Sequence, residues 1–242
     1  MNVTETFISH LLELRNRLLK IVLGLVVCVI AFLPFSNELY TWLAQPLLSH
    51  MPVGTHMIAT AVTTPFLVPM KVSTLVAIVV SLPYTLYQAW AFVAPGLYTH
   101  ERRFIGPLIF ASTSLFLAGM AFAYFVVFPV LFGFITASAP QGVAVMTDIG
   151  SYLDFVTTMF VSFGLAFEVP IAVVILVKFS IVKVEMLKEA RPYVIVGAFI
   201  VGAILTPPDV ISQIMLAIPL WFLYEAGVLV SGFVAPRQET VD

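Results

Sequence analysis

The chain has 242 residues, 61% of them hydrophobic and 10% charged, with a formal net charge of −2 and a mean hydropathy of +1.07. A soluble domain is about a quarter charged, so this chain lacks the polar surface to cover itself in water; a soluble globular protein is excluded and an integral membrane protein is expected. The single cysteine, Cys28, excludes an intrachain disulfide.

The chain opens on an acidic, amphipathic stretch, MNVTETFISHLLELRNRL. It has neither the basic start and small-residue cleavage site of a signal peptide nor the Arg/Ser bias of a transit peptide. Within HLLELRNRL, Leu11, Leu14 and Leu18 recur at helical spacing and make one apolar face. Glu13 and Arg17 stand one turn apart and can pair. The plain reading is an interfacial helix whose Arg15, Arg17 and Lys20 fix topology.

Six apolar segments follow, at about residues 18–35, 72–93, 105–128, 155–177, 193–205 and 211–234. Their runs are continuous rather than alternating, so each spans as a helix and a β-barrel is excluded. The second is placed after TTPFLVPMK, because two prolines and Lys71 precede its clean run. The fifth has 13 residues, about 20 Å of helix against a hydrocarbon core of about 30 Å. It must thin the bilayer or be shielded by neighbours. The tight turn TPPDVIS after it predicts a hairpin with the sixth. Residues 37–71 form a long outer loop expected to carry short helices on the membrane surface, and residues 132–154 a second outer loop. With no internal repeat or soluble domain, the whole chain reads as one polytopic membrane domain.

Ten of the eleven Lys and Arg lie before or at the start of the first span, between the second and third, between the fourth and fifth, or after the sixth; only Lys71 lies opposite. The bias of basic residues puts both termini in the cytoplasm.

Chemical motifs are few. There is no phosphate-binding loop, H-E-x-x-H, G-x-S-x-G or Cys/His cluster, and the four histidines fall outside the spans. An enzyme is therefore not expected, and energy must come from the membrane potential, a proton gradient or a partner. In FVAPGLYTHERR, Glu101, Arg102 and Arg103 follow a helix-ending Pro-Gly. They read as an ordinary basic loop, or as a partner-binding loop with an acid for a cationic ligand. Glu168, in FGLAFEVPIAVVIL, is an acid at mid-span, where an ionised side chain costs about 2.5–3.5 kcal/mol. Gly164 and Ala172 beside it would admit a close neighbour. Pro170 deprives the Ala166 carbonyl of its partner and should kink the helix. Two readings stand: a structural acid bonded to a neighbouring helix, and a polar site on a translocation or proton path. Thr206, Asp209 and Gln213 are polar groups at the last outer turn, and Glu225 is read as a structural acid near the interface.

The motifs HLLELRNRL, YQAWAFVAPGLYTHERR, GMAFAYFVVFP, SFGLAFEVP and RPYVIVGAFIVGAILTPPDVISQ, in this order over six spans, resemble the TatC family, the multispanning core of the twin-arginine protein translocase. The resemblance covers nearly the whole chain. It implies a concave, glove-like helical fold in the bacterial cytoplasmic (inner) membrane. It also implies binding of the twin-arginine signal peptides of folded cargo at the cytoplasmic face. Glu13 and Glu101 match the family's recognition acids, with Arg102 and Arg103 beside them. Two guanidinium groups suit two carboxylates, which accept their forked donors better than an ammonium's point charge. Arg15, Phe92 and Pro46 match further family positions, Glu168 the membrane-embedded acid and Asp209 the acid of the last outer turn. The fifth span, with Thr206 and Gln213, matches the docking region for the single-span partners TatA and TatB. Self-association and use of the proton-motive force are implied; no cofactor is. A proton-coupled small-solute permease carried by Glu168 is the alternative, and an intramembrane hydrolase is the weakest reading.

Overall fold

The computed structural model describes residues 3–51, 55–93, 105–137, 146–179, 181–205 and 210–234, and the described residues are almost wholly helical. Helix α1 (Val3–Phe32) runs through a 3-10 turn (Leu33–Phe35) into α2 (Ser36–Leu48). Then come α3 (Thr64–Val93), α4 (Ile105–Phe122), a π-helical turn (Ala123–Val127), α5 (Phe128–Ala137), α6 (Ile149–Lys178), α7 (Val184–Glu189), α8 (Arg191–Leu205) and α9 (Val210–Val234). Five continuous helical stretches are long and apolar enough to cross a membrane: His10–Leu48, Thr64–Ala89, Gly106–Ala137, Ile149–Lys178 and Val210–Phe233. The sixth, α8, has 15 residues, about 22 Å at 1.5 Å per residue, and is the short span expected.

Several helices begin earlier or end later than hydropathy places them. HLLELRNRL belongs to the same unbroken helix as the first span, since no proline interrupts residues 3–32. Helix α3 starts at Thr64, eight residues before the predicted span. Pro65 stands in its first turn, where a missing N–H costs nothing. The predicted surface helices of residues 37–71 are thus one helix, α2, and the opening of α3. The third span continues to Ala137, six residues into what was expected to be loop. Helix α6 starts at Ile149 because Asp148 caps it: its Oδ1 accepts the N–H of Gly150 at 2.9 Å and of Ser151 at 3.0 Å.

The π-helical turn follows from Pro129. Proline offers no N–H to the carbonyl one turn back and its ring crowds that carbonyl. The helix widens just before it, and the Phe128 N–H bonds to the Ala123 carbonyl.

The chain forms two compact units. One comprises Met1–Gln45, Met57–Ser114 and Thr147–Leu153; the other Pro46–His56, Leu115–Met146 and Asp154–Asp242. In the first, α1 packs along α3, and the buried Tyr152 hydroxyl donates to the Leu43 carbonyl at 2.8 Å. A parallel bridge joins Ile58 to residues 147–149: the Ile58 N–H bonds to the Thr147 carbonyl at 3.0 Å and the Ile149 N–H to the Ile58 carbonyl at 2.9 Å. In the second unit, the Phe128 ring packs against Phe132, Phe155 and Phe160, with centroids 5.7, 6.2 and 5.4 Å away, separations at which tilted aromatic pairs attract. Helix α8 packs along α9. Gly227 of α9 meets Pro170 of α6 backbone to backbone: a Cβ built on Gly227 would stand 2.8 Å from Pro170 Cα. Beside this crossing Val173, Val177, Leu187, Tyr224 and Val228 form a buried cluster, and the Tyr224 hydroxyl ties α9 to α7 through the Leu187 carbonyl at 2.7 Å.

Candidate functional site

The leucines of HLLELRNRL are not the face that packs. Leu11, Leu14 and Leu18 are all exposed. The polar residues of the motif are the ones that meet α3. His10, Glu13 and Arg17 lie at i, i+3 and i+7, on one side of α1. The His10 ring stacks on Phe92 of α3, with centroids 4.3 Å apart and planes 20° from parallel. Arg17 donates Nη1 to Oε1 of Gln88 at 3.4 Å. It also donates Nε and Nη2 to Oε1 of Glu13, at 3.0 and 2.6 Å. This inversion, apolar side outward and polar side inward, is what a helix with lipid as its neighbour requires.

The arrangement makes a defined acceptor. Both guanidinium bonds end on one oxygen of Glu13, and among the described residues Oε2 accepts none. The pair is reachable, with side-chain exposures of 22% for Arg17 and 34% for Glu13. Gln88 is 6% exposed, so it holds Arg17 from a buried position. Gln88 and Phe92 are one turn apart on α3; Gln88, a lone amide in an apolar helix, was not singled out in the sequence. Of the predicted signal-peptide residues, Glu13 and Phe92 thus come to one site. Arg15 is exposed and, among the described residues, reaches only Asn16 Oδ1, at 3.5 Å. Glu101, Arg102 and Arg103 lie outside the described residues.

Glu168 is half-buried on α6, which continues through Pro170. One turn before it, Gly164 takes the ring of Phe116 from α4. A Cβ there would lie 2.6 Å from two ring carbons, so any larger residue requires the Phe116 ring to move. Ala172, expected to do the same on the other side, is exposed instead: the close neighbour meets only the Gly164 end of this face.

Pro46 lies inside α2, and its carbonyl accepts Ser49 Oγ at 3.1 Å and His50 Nδ1 at 2.8 Å. Those bonds satisfy a carbonyl that the helix end leaves open. Gln213 Nε2 donates to the Phe199 carbonyl at 2.9 Å, linking α9 to α8 as the predicted hairpin requires. Thr206 and Asp209 lie outside the described residues.

Two polar links went unseen in the sequence. Arg191, at the start of α8, pairs with Glu225 of α9 at 2.7 Å; the two are 34 positions apart, so no local pattern joins them. Asp148, besides capping α6, accepts the backbone N–H and hydroxyl of Thr60 on Oδ2 at 3.0 and 2.9 Å. The bonds from Ser151, then those from Thr60, with a smaller one from Gly150, hold its carboxyl at about 2, well below the usual range. Among the described residues, no three His, Cys, Asp or Glu side chains gather as a metal site would need.

A family model described as Sec-independent protein translocase protein (TatC) matches residues 9–219. The chain is 52% identical over 240 residues to the Sec-independent protein translocase protein TatC of Haemophilus influenzae, spanning 98% of this chain and 94% of that one. It is 51% identical over 230 residues to the protein of the same name from Escherichia coli K12, spanning 95% and 89%. A crystal structure of the twin-arginine translocase receptor TatC superposes with a TM-score of 0.79 at 36% identity, covering 93% of this chain and 99% of that one. None of these relatives is named as a small-solute permease, and that alternative has no support. With its order of apolar helices, its short penultimate span and these relatives, the chain is a multi-pass membrane protein and belongs to the TatC family of Sec-independent protein translocases.

Proposed function

We propose that this protein is the receptor and core subunit of a twin-arginine protein translocase in the bacterial cytoplasmic membrane. It binds the signal peptides of folded cargo and assembles with single-span TatA-like and TatB-like subunits and with further copies of itself. Transport draws on the proton-motive force. The observation that carries the reading is the Glu13 carboxylate, fixed against α3 beside Phe92 with one oxygen open. An arginine guanidinium needs such an acceptor. Glu101 supplies the second carboxylate for the second arginine, with Arg102 and Arg103 next to it. The basic-residue bias puts both termini and this site on the cytoplasmic side. Glu168 serves as the intramembrane polar point for an inserted signal peptide or partner helix. Thr206, Asp209 and Gln213 belong to the outer end of the α8–α9 hairpin, where a single-span partner docks.

The test places a photocrosslinker at Leu14, exposed and next to Glu13, in the full chain in membranes, so that both carboxylates stay in place. An Arg-Arg signal peptide is captured, and capture is lost when the pair becomes Lys-Lys. Equal capture of both peptides overturns the role given to this site.

A further inference from the structure

The signal-peptide acid Glu13 is not presented alone. Arg17 spends two donors on a single carboxylate oxygen and is itself held by Gln88. Three side chains from two helices therefore determine where Glu13 Oε2 sits. A free glutamate on an exposed helix turn samples many rotamers, and ordering such a side chain on binding weakens affinity by up to about tenfold. Here that ordering is done before the ligand arrives.

We propose that Arg17 and Gln88 are positioning residues that give this site its preference for arginine over lysine. The inference rests on the reading of Glu13 as an arginine-binding acid. A guanidinium is planar, and its donors point in fixed directions, so it gains only when the acceptor is already in place. An ammonium is a compact point charge with rotatable donors and pairs with a carboxylate in many orientations. Fixing Oε2 therefore favours an arginine ligand and does little for a lysine ligand. The Arg17 charge acts differently: it repels both cations to a similar degree. Removing it can raise or lower each affinity, but the ratio of the two affinities reports geometry alone.

Lysine at position 17 keeps the charge and loses the fork. Alanine at position 88 keeps Arg17 whole and loses its anchor on α3. Both helices retain their apolar contacts in either variant.

The experiment titrates the full-length protein in nanodiscs with two synthetic signal peptides that differ only in an Arg-Arg or Lys-Lys pair. The readout is the ratio of the two dissociation constants. In Arg17→Lys and in Gln88→Ala the ratio is expected to fall by about 3- to 10-fold, the size of one side chain left unordered before binding. Size-exclusion profile and melting temperature identify a variant that fails to fold, and the other variant then carries the test. An unchanged ratio in a folded variant overturns the proposal, whatever happens to the separate affinities. If the unaltered protein discriminates between the peptides and the variants do so equally well, only the positioning role fails. If the unaltered protein binds neither peptide, the receptor reading fails with it.

Discussion

Replacing Gly227 by alanine tests the crossing of α6 and α9. The added Cβ would lie 2.8 Å from Pro170 Cα, 3.1 Å from Val173 Cβ and 3.3 Å from the Pro170 carbonyl oxygen. The nearest of these is about 0.6 Å short of ordinary contact. None can swing away, since two are backbone atoms and the third is the branched carbon of a valine, so the helices must part by several tenths of an ångström. A gap of about 0.5–1 Å forfeits a quarter to a half of each dispersion contact. The contacts at risk are those among Val173, Val177, Leu187, Tyr224 and Val228. Overpacking of this kind costs about 1–3 kcal/mol. Alanine also gains about 1 kcal/mol over glycine from helix propensity, and a control cancels that gain: a Cβ added to Gly232, on the same helix, would meet nothing within 4 Å. The measured quantity is therefore the difference in melting temperature between Gly227→Ala and Gly232→Ala, in detergent, followed by tryptophan fluorescence. At about 2–4 °C per kcal/mol for a chain of this length, Gly227→Ala should melt several degrees lower. If the two variants melt together, the backbone contact does not limit this packing.

Removing either partner of the Arg191–Glu225 pair, as in Arg191→Gln or Glu225→Gln, should lower stability by up to about 1 kcal/mol, because Arg191 is largely exposed and solvent screens the pair. The exchange Arg191→Glu with Glu225→Arg should recover part of the loss, and a double-mutant cycle without coupling would refute the link. Asp148 has a folded pKa of about 2, below its ordinary value of 3.8. Its contribution to stability is thus complete above that ordinary value and is lost as pH falls toward about 2. Asp148→Asn should remove this component and flatten the acid-unfolding curve in that window. Identical acid dependence in the two proteins would show that the clip between Thr60 and α6 does not matter.

The architecture was readable because lipid imposes a simple rule: long charge-free runs become helices. The short fifth span and its hairpin with the sixth followed from the same count. Helix ends were less readable, because hydropathy does not register a cap. Asp148 starts α6 through two N–H groups, six residues before the apolar run that defined the span. Glu13 and Phe92 emerged as site residues through family resemblance, and the pairing of Glu13 with Arg17 followed from local spacing. The buried anchor Gln88 did not, because its meaning depends on α1 and α3 lying side by side. Arg191 and Glu225 escaped for the same reason: each is an ordinary interfacial charge until the fold brings the two together. The leucine stripe of α1 was legible as an apolar face, and it is the face left outside: in water it would mark the packed side, but against lipid it need not.

The wide turn at Ala123–Val127 has a consequence for how the third span keeps time. Gly119, Ala123, Val127 and Leu131 are all buried. In an unbroken α-helix, positions spaced by four drift about 40° per step, so the last of these would lag the first by about a third of a revolution. A turn holding one extra residue runs that drift backward for one step. The span can then keep a single flank inward over more turns than a straight α-helix could, and Pro129, usually a residue that ends helices, acts here as the escapement that resets the count.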